Sequence, residues 1–137
     1  MNAKPNGVPL KATSVALCGS EEDELRPVAE LLADLGYGVR RAETMEQLNL
    51  LVKNEDIGAI LIHVCPSRKD FLPVLGLPDM PPVIALLGHA DKQMYMGLMR
   101  RGAFDCVALP AQRGELNRVL TLSLGRKGKE VSSASAA

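Results

Sequence analysis

Two nearly uninterrupted apolar runs constrain the fold of this chain more than any other feature. The segments "GAILIHV" (58–64) and "PPVIALLG" (81–88) are apolar at successive positions and therefore on both faces of a strand. Strands of this kind belong to a parallel sheet that is covered by helices on each side. The sequence therefore predicts an α/β fold.

The segments around these runs alternate between strand and helix periods. "SVALC" (14–18), the more polar "GVRRAE" (38–43) and "FDCVALP" (104–110) add three strands, and the intervening segments carry apolar residues at helical spacing. Right-handed crossovers then predict a flavodoxin-like, doubly wound five-stranded sheet in the order 2-1-3-4-5. Segment 67–80 contains two prolines and a glycine, so any third helix is short or broken.

Local signals predict where several helices begin and end. Ser20 with Asp23 forms a weak capping box for the first helix, while Pro27 predicts a late start or a kink there. Thr44 with Gln47 is a clearer capping box for the second helix. Gly102 predicts the end of the helix that begins near residue 91, and residues 112–124 form a last amphipathic helix.

Composition limits the core and the partners. Apolar residues make up 47% of the 137 residues and aromatic residues 3%, which predicts an aliphatic core with few rings, those of Tyr37, Phe71, Tyr95 and Phe104. The methionines at 94, 96 and 99 are interpreted as core residues, with an adaptable partner-binding face as the alternative. The formal net charge is zero, which disfavours direct nucleic-acid binding, since such affinity comes largely from neutralising phosphates.

The chain ends differ in character from the middle. Residues 1–12 lack periodicity and are predicted to form a loose arm, residues 13–125 one domain, and residues 126–137 a linker or disordered tail. A linker favours the interpretation that the chain is one module of a longer protein. Three widely spaced cysteines indicate reduced thiols, and neither a signal peptide nor a membrane span is apparent, so we expect a cytoplasmic protein.

Ligands of doubly wound folds bind at the carboxyl ends of the strands. The first strand is followed by "GSEEDE", whose acids at 21–24 suit a helix N-terminus and would repel phosphate, so no nucleotide cofactor is expected. The third strand supplies His63, Cys65 and Pro66, and the fourth Gly88 and His89.

The residues at this edge raise two further possibilities, a zinc site and a nucleophilic cysteine. A zinc site would use His63, Cys65 and His89, but nothing pairs with them at a recognisable ligand spacing, so no metal is expected. A nucleophilic Cys18 would need nearby positive charge, whereas four acids follow it, and a small buried apolar role is favoured.

Residues 13–125 resemble the receiver domain of two-component response regulators. The resemblance is carried by "VALCGSEEDELRPVAELLADLGYGV", "GAILIHVCPS", "PPVIALLGHA" and "RRGAFDCVALP". It implies a phosphorylated aspartate at the end of the third strand, where this chain has His63. It also implies a pair of Mg²⁺-binding acids after the first strand, where this chain has Gly19 and Ser20.

The remaining positions implied by the resemblance also hold other residues. Leu87 stands where receivers have a hydroxyl residue, Leu109 where they have a lysine, and Cys106 where they have an aromatic switch residue. Mg²⁺ prefers carboxylate oxygens, which Gly19 and Ser20 lack. The chain is therefore interpreted as a pseudo-receiver with a vacated phosphorylation site, no catalytic activity and no cofactor.

The leading hypothesis for function is a phosphorylation-independent signalling module, as in the N-terminal regulatory domain of a bacterial transcription regulator. The resemblance implies docking or dimerisation through the fourth helix, the fifth strand and the fifth helix, where the sequence places Lys92, Gln93, Arg100, Arg101, Glu115 and Arg118. The alternative is a small-ligand or redox sensor that uses the strand-end cysteines and histidines. A phosphohistidine at His63 is the least supported interpretation, because no acid, lysine or metal is expected to assist it.

Overall fold

A parallel five-stranded sheet forms the centre of the fold. The computed structural model describes residues 13–65, 70–88 and 91–128. The strands are β1 (Ser14–Cys18), β2 (Gly38–Ala42), β3 (Ile57–Val64), β4 (Val83–Leu87) and β5 (Asp105–Ala108). Their order is β2-β1-β3-β4-β5 and every neighbouring pair is parallel, which confirms the predicted topology.

Among the described residues, four helices cover the two faces of the sheet: α1 (Glu22–Asp34), α2 (Met45–Asn54), α3 (Lys92–Arg101) and α4 (Arg113–Gly128). Buried residues of α1 and α4 pack with Ala59 and Leu61 on one face, and buried residues of α2 and α3 pack with Ile60 and Ile62 on the other. Alternate residues of β3 thus enter opposite halves of the core. Full burial of an aliphatic side chain stabilises the fold by about 1.5–3 kcal/mol, so this strand is central to stability.

The connection between β3 and β4 contains a single 3₁₀ turn, Leu72–Val74, within residues 70–80. Phe71 and Val74 are buried there and close the core over β3 and β4. The prediction of a short or broken third helix is confirmed. The helices counted as fourth and fifth in the sequence are therefore α3 and α4.

The start of α1 differs from the prediction. Its N-cap is Glu21 and no side chain caps it, so the predicted box of Ser20 and Asp23 is wrong. The helix begins at Glu22 and includes Pro27, so the predicted late start is wrong as well. The three acids of the first turn, at 22–24, complement the partial positive charge of the helix N-terminus.

The other helix ends are closer to prediction. Thr44 Oγ1 accepts a hydrogen bond from the Gln47 N–H at 3.1 Å, while Gln47 Oε1 accepts from the N–H of Glu43, one residue before the cap. Gly102 ends α3 with a φ of 116°, a left-handed conformation that favours glycine. Helix α4 continues to Gly128, past the predicted domain end at 125. The predicted arm at 1–12 and the tail beyond residue 128 lie outside the described residues.

Two side chains of α3 are more exposed than the sequence indicated. Tyr95, a predicted core ring, is 41% exposed, and Met96 is 43% exposed. Met94 and Met99 instead pack partly buried against the core. Within residues 13–65, 70–88 and 91–128, no helix combines the length and apolar character needed to cross a membrane.

Candidate functional site

The strand register brings the predicted edge residues together. Cys18 pairs with Ile62 and His63 pairs with Leu86, so Gly19 follows β1 at the level of His63. At the next level Leu87 pairs with Ala108, and the Leu109 N–H donates to the Leu87 carbonyl. The carboxyl ends of four strands thus meet at one edge, where the positions of the vacated phosphorylation site were predicted.

His63 is buried within the sheet. It is the penultimate residue of β3, and its side chain is 1% exposed. A Cβ atom at Gly19 would lie 3.0 Å from His63 Cβ, and one at Gly88 would lie 3.2 Å from His63 Nε2. Glycine on both sides therefore leaves the space that the imidazole fills.

Two carboxylates of α1 face the imidazole. The Nε2–H of His63 donates to Glu24 Oε1 at 2.5 Å, since an ionised carboxylate can only accept. On the other side of the ring, Nδ1 lies 3.4 Å from Glu21 Oε1. Two acids therefore lie beside His63, and the expectation that no acid assists its phosphorylation stays a prediction.

The spacing of these acids was a signal in the sequence. Residues three apart lie on one face of a helix, and Glu21 and Glu24 have that spacing at the start of α1. The sequence alone predicts only that Glu21 and Glu24 complement the helix N-terminus. Their contact with a histidine 39 residues further along the chain requires the tertiary fold.

The arrangement does not converge on a metal position. The two carboxylates approach different nitrogens of one ring, so the imidazole lies between them. In the part of the chain that the structure describes, no group of three or more His, Cys, Asp or Glu side chains is placed to hold a metal ion. Pro66 and His89, two residues assigned to this edge from the sequence, lie outside the described residues.

Two of the three thiols are held in their neutral form. Burial raises the pKa of Cys18 to about 12, against a smaller opposing effect of Arg41. Burial, together with the charge of Asp105, raises the pKa of Cys106 to about 11. Cys65 is partly buried at the end of β3. Thiolate chemistry is therefore suppressed at Cys18 and Cys106.

The predicted interaction face lies at the β5 side of the sheet. Helices α3 and α4 cover opposite faces, and β5 is the edge strand beside them. We call this surface the α3–β5–α4 face. Glu115 is partly exposed on it, and the other predicted residues are exposed: Lys92, Gln93, Arg100, Arg101 and Arg118.

Sequence reasoning missed the apolar part of this face. Tyr95 and Met96 are exposed on α3, and Leu122 on α4 is 52% exposed. Glu115, Arg118 and Leu122 are spaced three and four apart, which places them on one side of α4. That spacing was the available signal for Leu122.

Comparison with known proteins identifies proteins of similar fold. No protein-family model matches the chain. The phosphoglycerate transport system transcriptional regulatory protein PgtA of Salmonella typhimurium is 26% identical over 107 residues, which cover 75% of this chain. The matched region is 26% of PgtA, so the chain corresponds to about a quarter of that protein.

Solved structures give the same architecture. NtrX of Brucella abortus matches with a TM-score of 0.76 and 20% identity, over 92% of this chain and 30% of NtrX. A putative response regulator of Chloroflexus aurantiacus matches with a TM-score of 0.74 and 23% identity, over 85% of this chain and 100% of that one. A response regulator receiver domain protein of Clostridium thermocellum matches with a TM-score of 0.72 and 20% identity, over 85% and 97%. The chain therefore has the fold of receiver domains.

Proposed function

We propose that this chain is a regulatory interaction module that has the receiver fold and acts without phosphorylation. The observation that carries the proposal is the burial of His63 at the end of β3, with Glu24 bound to its Nε2 atom. A side chain of the protein itself fills the position at which a receiver would accept a phosphoryl group.

The chemistry around His63 supports the absence of phosphotransfer. Without an aspartate at this position no acyl phosphate forms there. The imidazole is no substitute, because Nε2 is bound to Glu24 and Nδ1 faces Glu21, so two carboxylates would repel an incoming phosphoryl donor. Leu87 and Leu109 offer neither a hydroxyl group nor a positive charge to an added dianion.

The partner surface that we propose is the α3–β5–α4 face. Exposed Tyr95, Met96 and Leu122 supply apolar contact area, and the arginines around them supply charge. Aromatic residues, Met and Arg are enriched in protein interfaces. The partner is a protein or a second copy of the chain, without direct nucleic-acid binding, and the likeness to PgtA supports a place in transcriptional regulation.

The redox alternative receives less support. It relies on thiols that are reactive, whereas the raised pKa values of Cys18 and Cys106 keep those two protonated near neutral pH. Cys65 alone is partly exposed among the three.

Incubation with acetyl phosphate and Mg²⁺ tests the proposal directly. We expect the intact mass to remain unchanged, while a phosphorylatable receiver domain in the same tube gains one phosphoryl group. A gain of one phosphoryl group by this chain, lost in His63→Ala, would overturn the proposal.

A further inference from the structure

Helix α1 begins with little support of its own. Its N-cap residue does not cap the helix with a side-chain hydrogen bond, and Pro27 has no N–H to donate to the carbonyl of Asp23. The first turn is closed by the Leu25 N–H, which donates to the Glu21 carbonyl at 2.9 Å. Contacts with the rest of the protein therefore support this turn, among them the burial of Leu25 and the ion pair of Glu22 with Arg41 of β2.

We propose that Glu24 is a latch that fastens the first turn of α1 to the sheet through His63. Glu24 belongs to that turn, and its Oε1 atom accepts the hydrogen bond of a ring that is fixed in β3. Hydrogen bonds to charged groups contribute more to stability than neutral ones. Glu24 thus acts as a positioning residue for the first turn of α1.

Two glycines leave room for both His63 and Glu24. A Cβ atom at Gly88 would lie 3.2 Å from His63 Nε2 and 3.3 Å from Glu24 Oε1. A Cβ atom at Gly19 would lie 2.9 Å from Leu25 Cδ1, the residue that follows Glu24 in the helix. Two glycines from neighbouring strand ends therefore allow the helix to approach closely enough for the latch to close.

Solvent reaches the Glu24 side of the latch but not the His63 side. The Glu24 side chain is 43% exposed while that of His63 is 1% exposed. Opening therefore requires a rotation of Glu24, with the histidine remaining in the core. The latch is measured independently of the proposed function, on which a role in signalling would rest.

Hydrogen exchange of the α1 amides tests the latch. In Glu24→Ala the Leu25 amide should exchange about tenfold faster or more, the ratio that corresponds to loss of a charged hydrogen bond. Asp23→Ala is the matched control, because it removes an exposed acid of the same turn and should leave that rate within about twofold. The Ile60 amide, bonded to the Pro82 carbonyl, reports global unfolding and measures the loss of overall stability in each variant, because a bond removed from the native state lowers that stability as well. Equal rates at Leu25 in the two variants would overturn the latch.

Chemical rescue tests the part played by the ring. His63→Ala should accelerate exchange at Leu25, and free imidazole should reverse the effect by entering the space beside Gly19 and Gly88. Should His63→Ala fail to fold, the ¹⁵N shifts of the His63 ring give a second measurement, because they should change in Glu24→Gln and remain unchanged in Asp23→Ala. Ring shifts unaffected by Glu24→Gln would contradict the latch. Formation of a phosphoprotein would overturn the proposed function and leave the exchange results as they are.

Discussion

Histidine is an unusual side chain for a strand that is otherwise apolar, and the hydrogen bond of one ring nitrogen helps to accommodate it. A buried polar group without a partner costs about 1–3 kcal/mol. In β3, Nε2 of His63 has Glu24 as its acceptor, whereas Nδ1 lies 3.4 Å from Glu21 Oε1 and makes no hydrogen bond within the described residues. An aspartate at the same position would instead place a third carboxylate beside these two.

Thiol reactivity follows from the burial of individual cysteines. The pKa of Cys18 is about 12, so near pH 8 its thiol is ionised in about one molecule in ten thousand. The pKa of Cys106 is about 11, so its thiol is ionised in about one molecule in a thousand. We therefore expect a maleimide at pH 8 to modify Cys65 first in the folded protein. Peptide mass mapping over time measures the order.

Denatured protein is the control, since all three thiols should then react at similar rates. The raised pKa values of the folded state also mean that the neutral thiols stabilise the fold fully below the ordinary thiol pKa of 9.0. This contribution is lost as the pH rises from there towards about 12 for Cys18. Rapid modification of Cys18 in the folded protein would contradict its burial and revive the redox alternative.

At the scale of single elements, α2 has a side-chain cap at its N-cap residue, Thr44, and α1 has none. The hydroxyl group of Thr44 satisfies the Gln47 N–H, whereas α1 has no side-chain cap. We expect Thr44→Ala to lower the free energy of unfolding by about 1 kcal/mol. Urea denaturation followed by circular dichroism measures the change.

Thr44→Ser is the matched variant, because it keeps the capping oxygen and removes only a methyl group. It should retain most of the stability that Thr44→Ala loses. Similar losses in the two variants would mean that packing of the methyl group, rather than the cap, is responsible.

Helices and strands could be predicted from the sequence where their apolar residues follow one clear pattern. The prediction was less accurate where a single tertiary contact determines where an element begins. The apolar runs of β3 and β4 indicated their strands and their central places in the sheet. The start of α1 was misjudged because Ser20 and Pro27 carry general preferences, while the helix is held by Glu24 and His63. Strand-end positions of the site followed from topology, but the pairing of His63 with α1 depends on side-chain directions that the sequence alone does not give.

For the whole molecule, the α3–β5–α4 face is the surface on which the proposed function depends. We expect Arg100→Glu combined with Arg118→Glu to weaken self-association and give a folded monomer, because a patch that meets itself across a two-fold axis doubles each charge change. Rim charges contribute individually about 0–1 kcal/mol, so single substitutions should have small effects. Sedimentation velocity measures the mass, and circular dichroism monitors the fold.

The matched control reverses two exposed charges on other surfaces, Arg26 in α1 and Lys53 in α2, to Glu. This variant has the same net charge as the first and should sediment like the wild type. Loss of association in both variants would indicate a general charge effect. A double mutant that still sediments like a wild-type dimer would place the interface elsewhere, and a wild type that is monomeric at high concentration would mean that the partner is a different protein.

The imidazole between Glu21 and Glu24 can also be regarded as a ligand that is covalently tethered to its own receptor. Its effective concentration is set by the chain and does not change on dilution, dialysis or transfer between compartments. An external ligand would have to displace the His63 imidazole, which is already bound there. The imidazole therefore occupies this position in every molecule of the protein. A cell that uses the protein would regulate it through the amounts of the protein and of its partner.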